Sequence, residues 1–355
     1  MERKKVLVAM SGGVDSSVAA YLLKNEGYET VGMTMCFGIE SENLSGQRCC
    51  GVEAINDARQ VCSVLGIPHY VSDYAKPLKE KVIDRFVKSY LSGKTPNPCM
   101  DCNRYLKFEM LLDYAMRLGF DYFATGHYAK ILKTAPGYIL AKAKDVKKDQ
   151  SYFLYVIKRK SLPRIKLPLG EHEKAGIRKI AQDAGLPVAQ KKESQDICFL
   201  DDNYRDFIKT AKSAQMLPGY IIDKKGNVMG VHQGVANYTI GQRKGLGISY
   251  AEPLFVTNID AAKNLVTIGS KDELKAGGLI LEDINLLVDK MPERANVKIR
   301  YQSKEIPCSI KMLKNSARVI FDEPNESVSP GQSAVFYVGG IVLGGGTISK
   351  KIAVS

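Results

Sequence analysis

The sequence predicts a mostly parallel α/β domain, then a small mixed β segment, then a C-terminal β-barrel. Three observations carry that expectation. Strand-length apolar runs alternate with helical periodicity through the first third of the chain, the rhythm of a parallel sheet with crossover helices. From about Phe207 that rhythm gives way to short β-rich runs punctuated by Gly, Pro and Asn. A length of 355 residues also exceeds what one compact domain usually holds, and boundaries near residues 205 and 277 divide it into segments 1–205, 206–277 and 278–355.

Taken in order, residues 5–10 form an apolar strand, residues 11–16 a small-residue turn, and residues 17–25 carry apolar side chains at helical spacing. Residues 30–35 then read as a strand, 51–65 as a helix, 69–71 as a strand and 77–91 as a helix. A loop rich in Pro and Asn, residues 93–98, precedes a helix over 104–118 and a strand over 122–125 that runs into Gly126-His127-Tyr128. Further on, residues 219–223 and 227–232 flank Lys224-Lys225-Gly226 like the arms of a hairpin. Past Gly278, β-rich runs alternate with turns as far as Gly344-Gly345-Gly346.

Composition narrows the function classes. With 45% hydrophobic and 25% charged residues the chain can build a sizeable core and is not a disordered tail. Lys and Arg number 51 against 38 Asp and Glu, a net charge of +13, which favours a polyanionic partner because each neutralised phosphate releases condensed counterions. The apolar stretch 6–10 behind the basic start is too short for a signal-peptide core, and no run reaches membrane-spanning length. Eight irregularly spaced cysteines, among them Cys49-Cys50 and Cys99-x-x-Cys102, are unlike a secreted disulfide framework. The expectation is a reducing cytoplasm and no membrane partner.

Two motifs point to chemistry. Ser11-Gly12-Gly13-Val14-Asp15-Ser16-Ser17 follows the first strand directly, so its backbone N–H groups and the following helix N-terminus make a concave anion site to which the Ser16 and Ser17 hydroxyls can add donors. It lacks the Gly-Lys-Ser/Thr of a Walker loop. The second motif is Thr95-Pro-Asn-Pro-Cys99-Met-Asp-Cys102-Asn103 ahead of a helix, with Ser194-Gln-Asp-Ile-Cys198-Phe199 far downstream. A thiol near a helix N-terminus has its thiolate favoured by the dipole, which marks Cys102 as a nucleophile. Zinc is disfavoured, since no second CxxC or suitably spaced His pair supplies four ligands.

The pattern SGGxDSS resembles the pyrophosphate-binding loop of the N-type ATP pyrophosphatases. With residues 95–98, Cys102-Asn103, Ala124-Thr-Gly-His127-Tyr128, Lys148-Asp-Gln-Ser151-Tyr-Phe, Ser194-Gln-Asp-Ile-Cys-Phe199 and Tyr238-Thr-Ile-Gly-Gln-Arg-Lys-Gly-Leu-Gly247, the chain resembles the tRNA-specific 2-thiouridylase family along essentially its whole length. That resemblance implies an adenine-nucleotide (PP-loop) domain in which Ala9, Met10, Ser11, Gly12, Gly13, Val14, Asp15 and Ser16 hold ATP, Met35 lies beside the adenine and Gly126 closes the site. It implies Cys102 as nucleophile and Cys198 as the persulfide-bearing cysteine. RNA contacts fall on Asn97, Pro98, Cys99, His127, Lys148, Asp149, Gln150, Arg300, Tyr301 and Gln332. The implied reactants are ATP with Mg²⁺, tRNA and a persulfide-delivering sulfur carrier protein.

One position departs from the family pattern, which often has Asp where this chain has Cys99. A third thiol beside Cys102 and Cys198 raises the alternative of a [4Fe–4S] cluster held by Cys99, Cys102 and Cys198, one ligand short of the usual four. Residues 142–192 hold fourteen basic and five acidic residues, nine of the thirteen net charges, interleaved with Tyr152, Phe153 and Tyr155, and read as an RNA-facing surface. Two rivals stand beside this reading. One is an ATP pyrophosphatase of the amide- or argininosuccinate-forming kind, which needs no paired cysteines; the other is a noncatalytic RNA-binding protein on a nucleotide fold.

Overall fold

The computed structural model describes residues 3–38, 52–135, 137–192, 197–200, 203–211, 216–326 and 328–354. Cys49, Cys50, Ser194, Gln195 and Asp196 lie outside the described residues. The chain packs as two compact units, the first comprising Met1–Val82, Cys99–Phe199 and Gly339–Val342, the second Ile83–Pro98, Leu200–Val338 and Leu343–Ser355.

In the first unit, strand β1 (Lys5–Ala9), helix α1 (Val14–Asn25), strand β2 (Glu29–Cys36), helix α2 (Val52–Leu65) and strand β3 (His69–Asp73) alternate as the sequence predicts. Strand β4 (Tyr122–Ala124) follows. Strands β5 (Ala129–Thr134) and β6 (Gly137–Lys142) form an antiparallel hairpin, and β7 (Ile165–Lys166) completes the strands of this part of the chain. The sheet order is β3-β2-β1-β4-β7, every pairing parallel. Strand β1 buries Val6, Leu7 and Val8 together, the continuous apolar run of a strand covered on both faces. Helix α2 turns Ala58, Val61, Cys62 and Leu65 inward, a spacing that keeps them on one face. From β1 the chain winds outward through β2 and β3 on one side, while β4 and β7 lie on the other, so β1 and β4 flank the point where strand order reverses. Ligands in open parallel sheets bind at that point, beyond the carboxyl ends of the strands.

Helix α1 begins at Val14, three residues before the expected start, because Gly13 is extended (φ −104°, ψ 167°) and Asp15 and Ser16 fit a first turn better than a helix interior. The sequence reading omitted the β5–β6 hairpin and the helix Lys174–Asp183. Residues 98–117 form one helical run: a short α turn Pro98–Asp101, a wider π-type stretch Cys102–Leu111 and an α segment Leu112–Arg117.

The second unit contains the helix Asp84–Leu91, whose Phe86 and Tyr90 pack on Phe207 and Tyr204. Strands β8 (Gly219–Ile222) and β9 (Val228–His232) form the predicted hairpin, joined through β8 to β11 (Leu265–Gly269) and then β10 (Phe255–Asp260). The remaining strands are β12 (Ala276–Leu286), β13 (Arg294–Lys298), β14 (Ile306–Met312), β15 (Ala317–Asn325), β16 (Ser333–Val338) and β17 (Ile341–Ile352). They run in the order β12-β15-β14-β13-β16-β17, and β12 pairs with β17 to close the predicted barrel. Among the described residues no helix is long and apolar enough to cross a membrane.

Candidate active site

The Gly-rich loop leaves the carboxyl end of β1 at the switch point. Met10 N donates to Met33 O (2.8 Å), extending the β1–β2 ladder one residue and fixing where the loop departs. Gly12 takes φ +70°, and a Cβ there would run into the backbone of Ala54, so both conformation and space require glycine. Ser11 N donates to Ser16 Oγ (3.1 Å), and the Ser16 and Ser17 hydroxyls both donate to Gly13 O (3.1 and 2.8 Å). Ser17, expected to offer a hydroxyl donor, is fully buried with that hydroxyl bonded to Gly13 O. No side-chain hydrogen bond caps α1, the arrangement that the expected anion site requires.

The loop meets β4 at Gly126. A Cβ on Gly126 would lie 2.7 Å from both Asp15 C and Ser16 N, so only glycine lets the two segments touch. Asp15 is then gripped from two distant elements. Tyr128 Oη donates to its Oδ1 (2.8 Å), and Lys174 Nζ bridges both oxygens (2.7 and 2.8 Å) with its side chain only 11% exposed. Lys174 also lies over the Tyr128 ring (5.7 Å). The loop lacks a Walker lysine in sequence, yet folding brings a lysine from 159 residues away. Nothing local in the sequence marks Lys174 among the thirteen other basic residues of 142–192.

Two carboxylates hold this arrangement. Asp145 accepts from the backbone N–H groups of Lys174, Lys147 and Lys148 (3.0, 3.1 and 3.3 Å), and the first of these bonds leads in holding its carboxyl below the usual range. Asp149, assigned above to RNA, is 6% exposed and turned inward, accepting from Ala143 N (2.9 Å), Ser151 N (3.3 Å) and Ser151 Oγ (2.7 Å). Its place in the structure is that of a loop organiser. Gln150 and Tyr128 exchange two bonds, Gln150 N to Tyr128 O (2.7 Å) and Tyr128 N to Gln150 Oε1 (2.9 Å), which joins the Gly-His-Tyr turn to the segment bearing Lys148. Of the basic run, Lys174 and Lys191 are drawn into ion pairs with Asp15 and Asp57, while Lys147 is exposed.

The thiols sit differently from the sequence expectation. The α turn at Pro98 puts Cys99 in the first helical turn and Cys102 one turn further in, where a dipole contribution has largely fallen away. Desolvation by surrounding atoms raises both thiols above the ordinary cysteine value, although Cys99 retains solvent access; Lys107 acts in the opposite direction on both. Lys107 Nζ donates to Asn103 Oδ1 (2.9 Å), and Asn103, 2% exposed, donates to Phe153 O (3.2 Å). His127 accompanies them: Thr125 Oγ1 is 2.7 Å from its Nδ1, Phe108 packs beside the ring, and burial followed by Lys107 holds it well below the ordinary histidine value. Lys107 thus acts on Cys99, Cys102 and His127 together; the sequence signal for it is its spacing four residues after Asn103.

Cys198 is exposed and, like the other described cysteines, forms no disulfide. Among the described residues no three His, Cys, Asp or Glu side chains are grouped to hold a metal, so Cys99, Cys102 and Cys198 do not present the three-thiol cluster site considered above. Met35 stands at the carboxyl end of β2, on the same sheet edge as Ala9 and the loop. In the second unit Gln332 Nε2 donates to Thr95 O (2.8 Å) and Thr95 N to Pro330 O (2.8 Å), which pins the loop carrying Asn97 and Pro98. Arg300 donates to Ser329 Oγ (2.6 Å), and Lys298 lies over the Tyr301 ring.

An uncapped helix N-terminus at the switch point of a parallel sheet, with a glycine-closed loop and an imported lysine, defines a nucleotide-binding enzyme domain. The family model described as the tRNA methyl transferase HUP domain matches residues 4–202; the associated PRC-barrel domain matches 205–270, and an aminomethyltransferase beta-barrel domain matches 276–348. The chain is 51% identical to tRNA-specific 2-thiouridylase MnmA 1 of Syntrophus aciditrophicus, over 99% of this chain and 94% of that protein. It is 48% identical to the MnmA 2-thiouridylase of Carboxydothermus hydrogenoformans (99% of each) and 47% to that of Clostridium beijerinckii (99% and 100%). The chain belongs to the tRNA-specific 2-thiouridylase (MnmA) family.

Proposed function

We propose that this enzyme replaces the 2-oxo group of the wobble uridine of tRNA with sulfur, using ATP to activate the oxygen. The observation that carries the reading is the paired equipment of the first unit: an uncapped phosphate loop with Lys174 on Asp15, and a helical run bearing Cys102. An amide- or argininosuccinate-forming ligase has no use for the second half.

A pyrimidine carbonyl is unreactive because oxide is a poor leaving group. The uridine O2 attacks the α-phosphorus of MgATP and pyrophosphate departs; magnesium arrives as part of that substrate. The first-turn N–H groups of α1 and Lys174 hold the phosphates against the charge that develops. A sulfur carrier protein loads Cys198 as a persulfide. Its terminal sulfur attacks C2, and AMP leaves with the original oxygen. The Cys102 thiolate then attacks the Cys198 sulfur, breaking the S–S bond to release 2-thiouridine and leaving a Cys102–Cys198 disulfide. A two-electron reductant restores the thiols. In the alternative order Cys102 first frees hydrosulfide from the persulfide, and hydrosulfide attacks C2. Neutral His127, with Asn97, Pro98, Cys99, Lys148, Gln150, Arg300, Tyr301 and Gln332, is assigned to holding the RNA. A buried target base must leave its stack to react.

The test is nucleoside mass spectrometry of tRNA from a strain lacking this gene. Loss of 2-thiouridine derivatives, restored by the intact gene but not by Cys198→Ala, supports the reading; unchanged thiolation with a missing methylated nucleoside overturns it.

A further inference from the structure

We propose that Gln332 is a positioning residue for sulfur transfer: through the backbone of Thr95 it fixes the loop 93–98, which leads along the chain into Cys99 and Cys102. The proposal rests on the thiolation reading above and goes beyond any contact that Gln332 makes with RNA.

The clamp is built inside the second unit. The turn Pro330-Gly331-Gln332 lies between β15 and β16 and is tied to β17 by two bonds, Gly331 N to Ile348 O and Ile348 N to Gln332 O (both 2.8 Å). Thr95 is held by this turn at its donor and its acceptor together: its N–H donates to Pro330 O, and its carbonyl accepts from Gln332 Nε2 (both 2.8 Å). Gly331 makes the approach possible. It takes φ +92°, and a Cβ there would lie 2.8 Å from Thr95 N and 3.0 Å from Lys94 Cβ. On its other side the loop closes against the sheet of β10, where a Cβ on Gly93 would meet Ile259 Cγ2 at 2.7 Å. Two β structures of one unit therefore grip the same short loop.

The rest of the loop has little freedom to absorb a displacement. Gly93 N donates to Tyr90 O and Lys94 N to Ser89 O (both 3.0 Å), which ties its start to the end of the helix Asp84–Leu91. Pro96 and Pro98 have φ fixed by their rings, and each restricts the residue before it, here Thr95 and Asn97. Cys99 follows Thr95 by four positions and Cys102 by seven, so the stiff segment carries the placement of Thr95 on to the start of the thiol helix. A nucleophile misplaced by about 1 Å loses on the order of a hundredfold in rate, which makes a distant anchor of this kind matter to the chemistry.

The experiment compares the wild type with Gln332→Met, which keeps the side-chain length and removes the donor, and with Gly331→Ala, which pushes on Thr95 and leaves the Gln332 amide intact. Each protein is followed by amide hydrogen exchange over residues 93–98 without RNA, by tRNA affinity, and by single-turnover 2-thiouridine formation of the persulfide-loaded enzyme at saturating tRNA. Thermal melting verifies folding, and if Gly331→Ala does not fold, Gln332→Met decides alone. The expected result is severalfold faster exchange in the RNA-free variants and a thiolation rate at saturating tRNA lower by about ten- to a hundredfold, a larger change than that in tRNA affinity. Unchanged exchange, with a thiolation deficit that saturating tRNA abolishes, would make Gln332 an RNA contact alone and overturn the proposal. Faster exchange with a full thiolation rate would leave the clamp a merely structural one and overturn it equally. A wild type that forms no 2-thiouridine overturns the functional reading instead.

Discussion

The phosphate loop and the thiol helix lie in the same compact unit but are prepared to different degrees. Around residues 11–17 everything is in place: the α1 N-terminus is uncapped, the serine hydroxyls are committed to the loop, and Asp15 is held by Tyr128 and Lys174. Around Cys99 and Cys102 desolvation raises the thiols, and the cation acting against it, Lys107, is bonded to Asn103. The loop is fixed by several bonds, whereas the thiols are raised by desolvation, and variants at the two places are expected to separate loss of both half-reactions from loss of one.

The largest effects sharpen that separation. Cys102→Ala and Cys198→Ala should abolish tRNA thiolation while tRNA-dependent pyrophosphate release continues, whereas Asp15→Ala should abolish both without unfolding the protein. Loss of pyrophosphate release in the cysteine variants would break the division. Next is Lys174→Met, which removes the imported cation and leaves Asp15 without its ion pair. Pyrophosphate release should fall about a hundredfold or more, the scale for one preorganised charge-stabilising donor, with partial recovery in Lys174→Arg. Gly126→Ala comes third. Its Cβ forces the β4 turn and the α1 N-terminus apart, at roughly 1 to 3 kcal/mol, and weakens ATP binding about five- to a hundredfold when measured by titration.

Smaller effects probe the thiols and the imidazole. In Lys107→Met the Cys102 thiol rises further, so its alkylation profile, read by peptide mass spectrometry, should move to higher pH. An unmoved profile would remove Lys107 from the account. The smallest effect is on stability. His127, His69 and His232 all have folded values lowered chiefly by burial, so protons bind the unfolded chain better. Stability contributed by the neutral rings is present above the unfolded value of about 6.5 and declines as pH falls through it. The melting temperature should therefore drop between about pH 7 and pH 5, and less so in a His127→Gln variant.

Local pattern made much of this legible. The β1–loop–α1 unit, the alternation through β3 and the β8–β9 hairpin follow from apolar periodicity and turn residues, and SGGVDSS marks the tight turn between β1 and α1. What stayed hidden depends on tertiary approach. Lys174 reaches Asp15 only after the chain folds, Asp149 turns inward because Ala143 and Ser151 need an acceptor, and Ser17 is withdrawn by Gly13 O. The first helical turn at Pro98 displaced Cys102 from the helix end where sequence alone placed it. Strand β6 is equally non-local, because Ala141 and Leu140 find partners in Ile341 and Val342 about two hundred residues later.

The most direct test of the central claim is a single-turnover reaction of the persulfide-loaded enzyme with unmodified tRNA and ATP labelled at the α-phosphate, analysed for nucleosides and nucleotides together. The account predicts one 2-thiouridine at the wobble position for each AMP and pyrophosphate formed, with a Cys102–Cys198 disulfide left on the protein. ADP and inorganic phosphate in place of AMP and pyrophosphate, or 2-thiouridine formed without ATP, would contradict it.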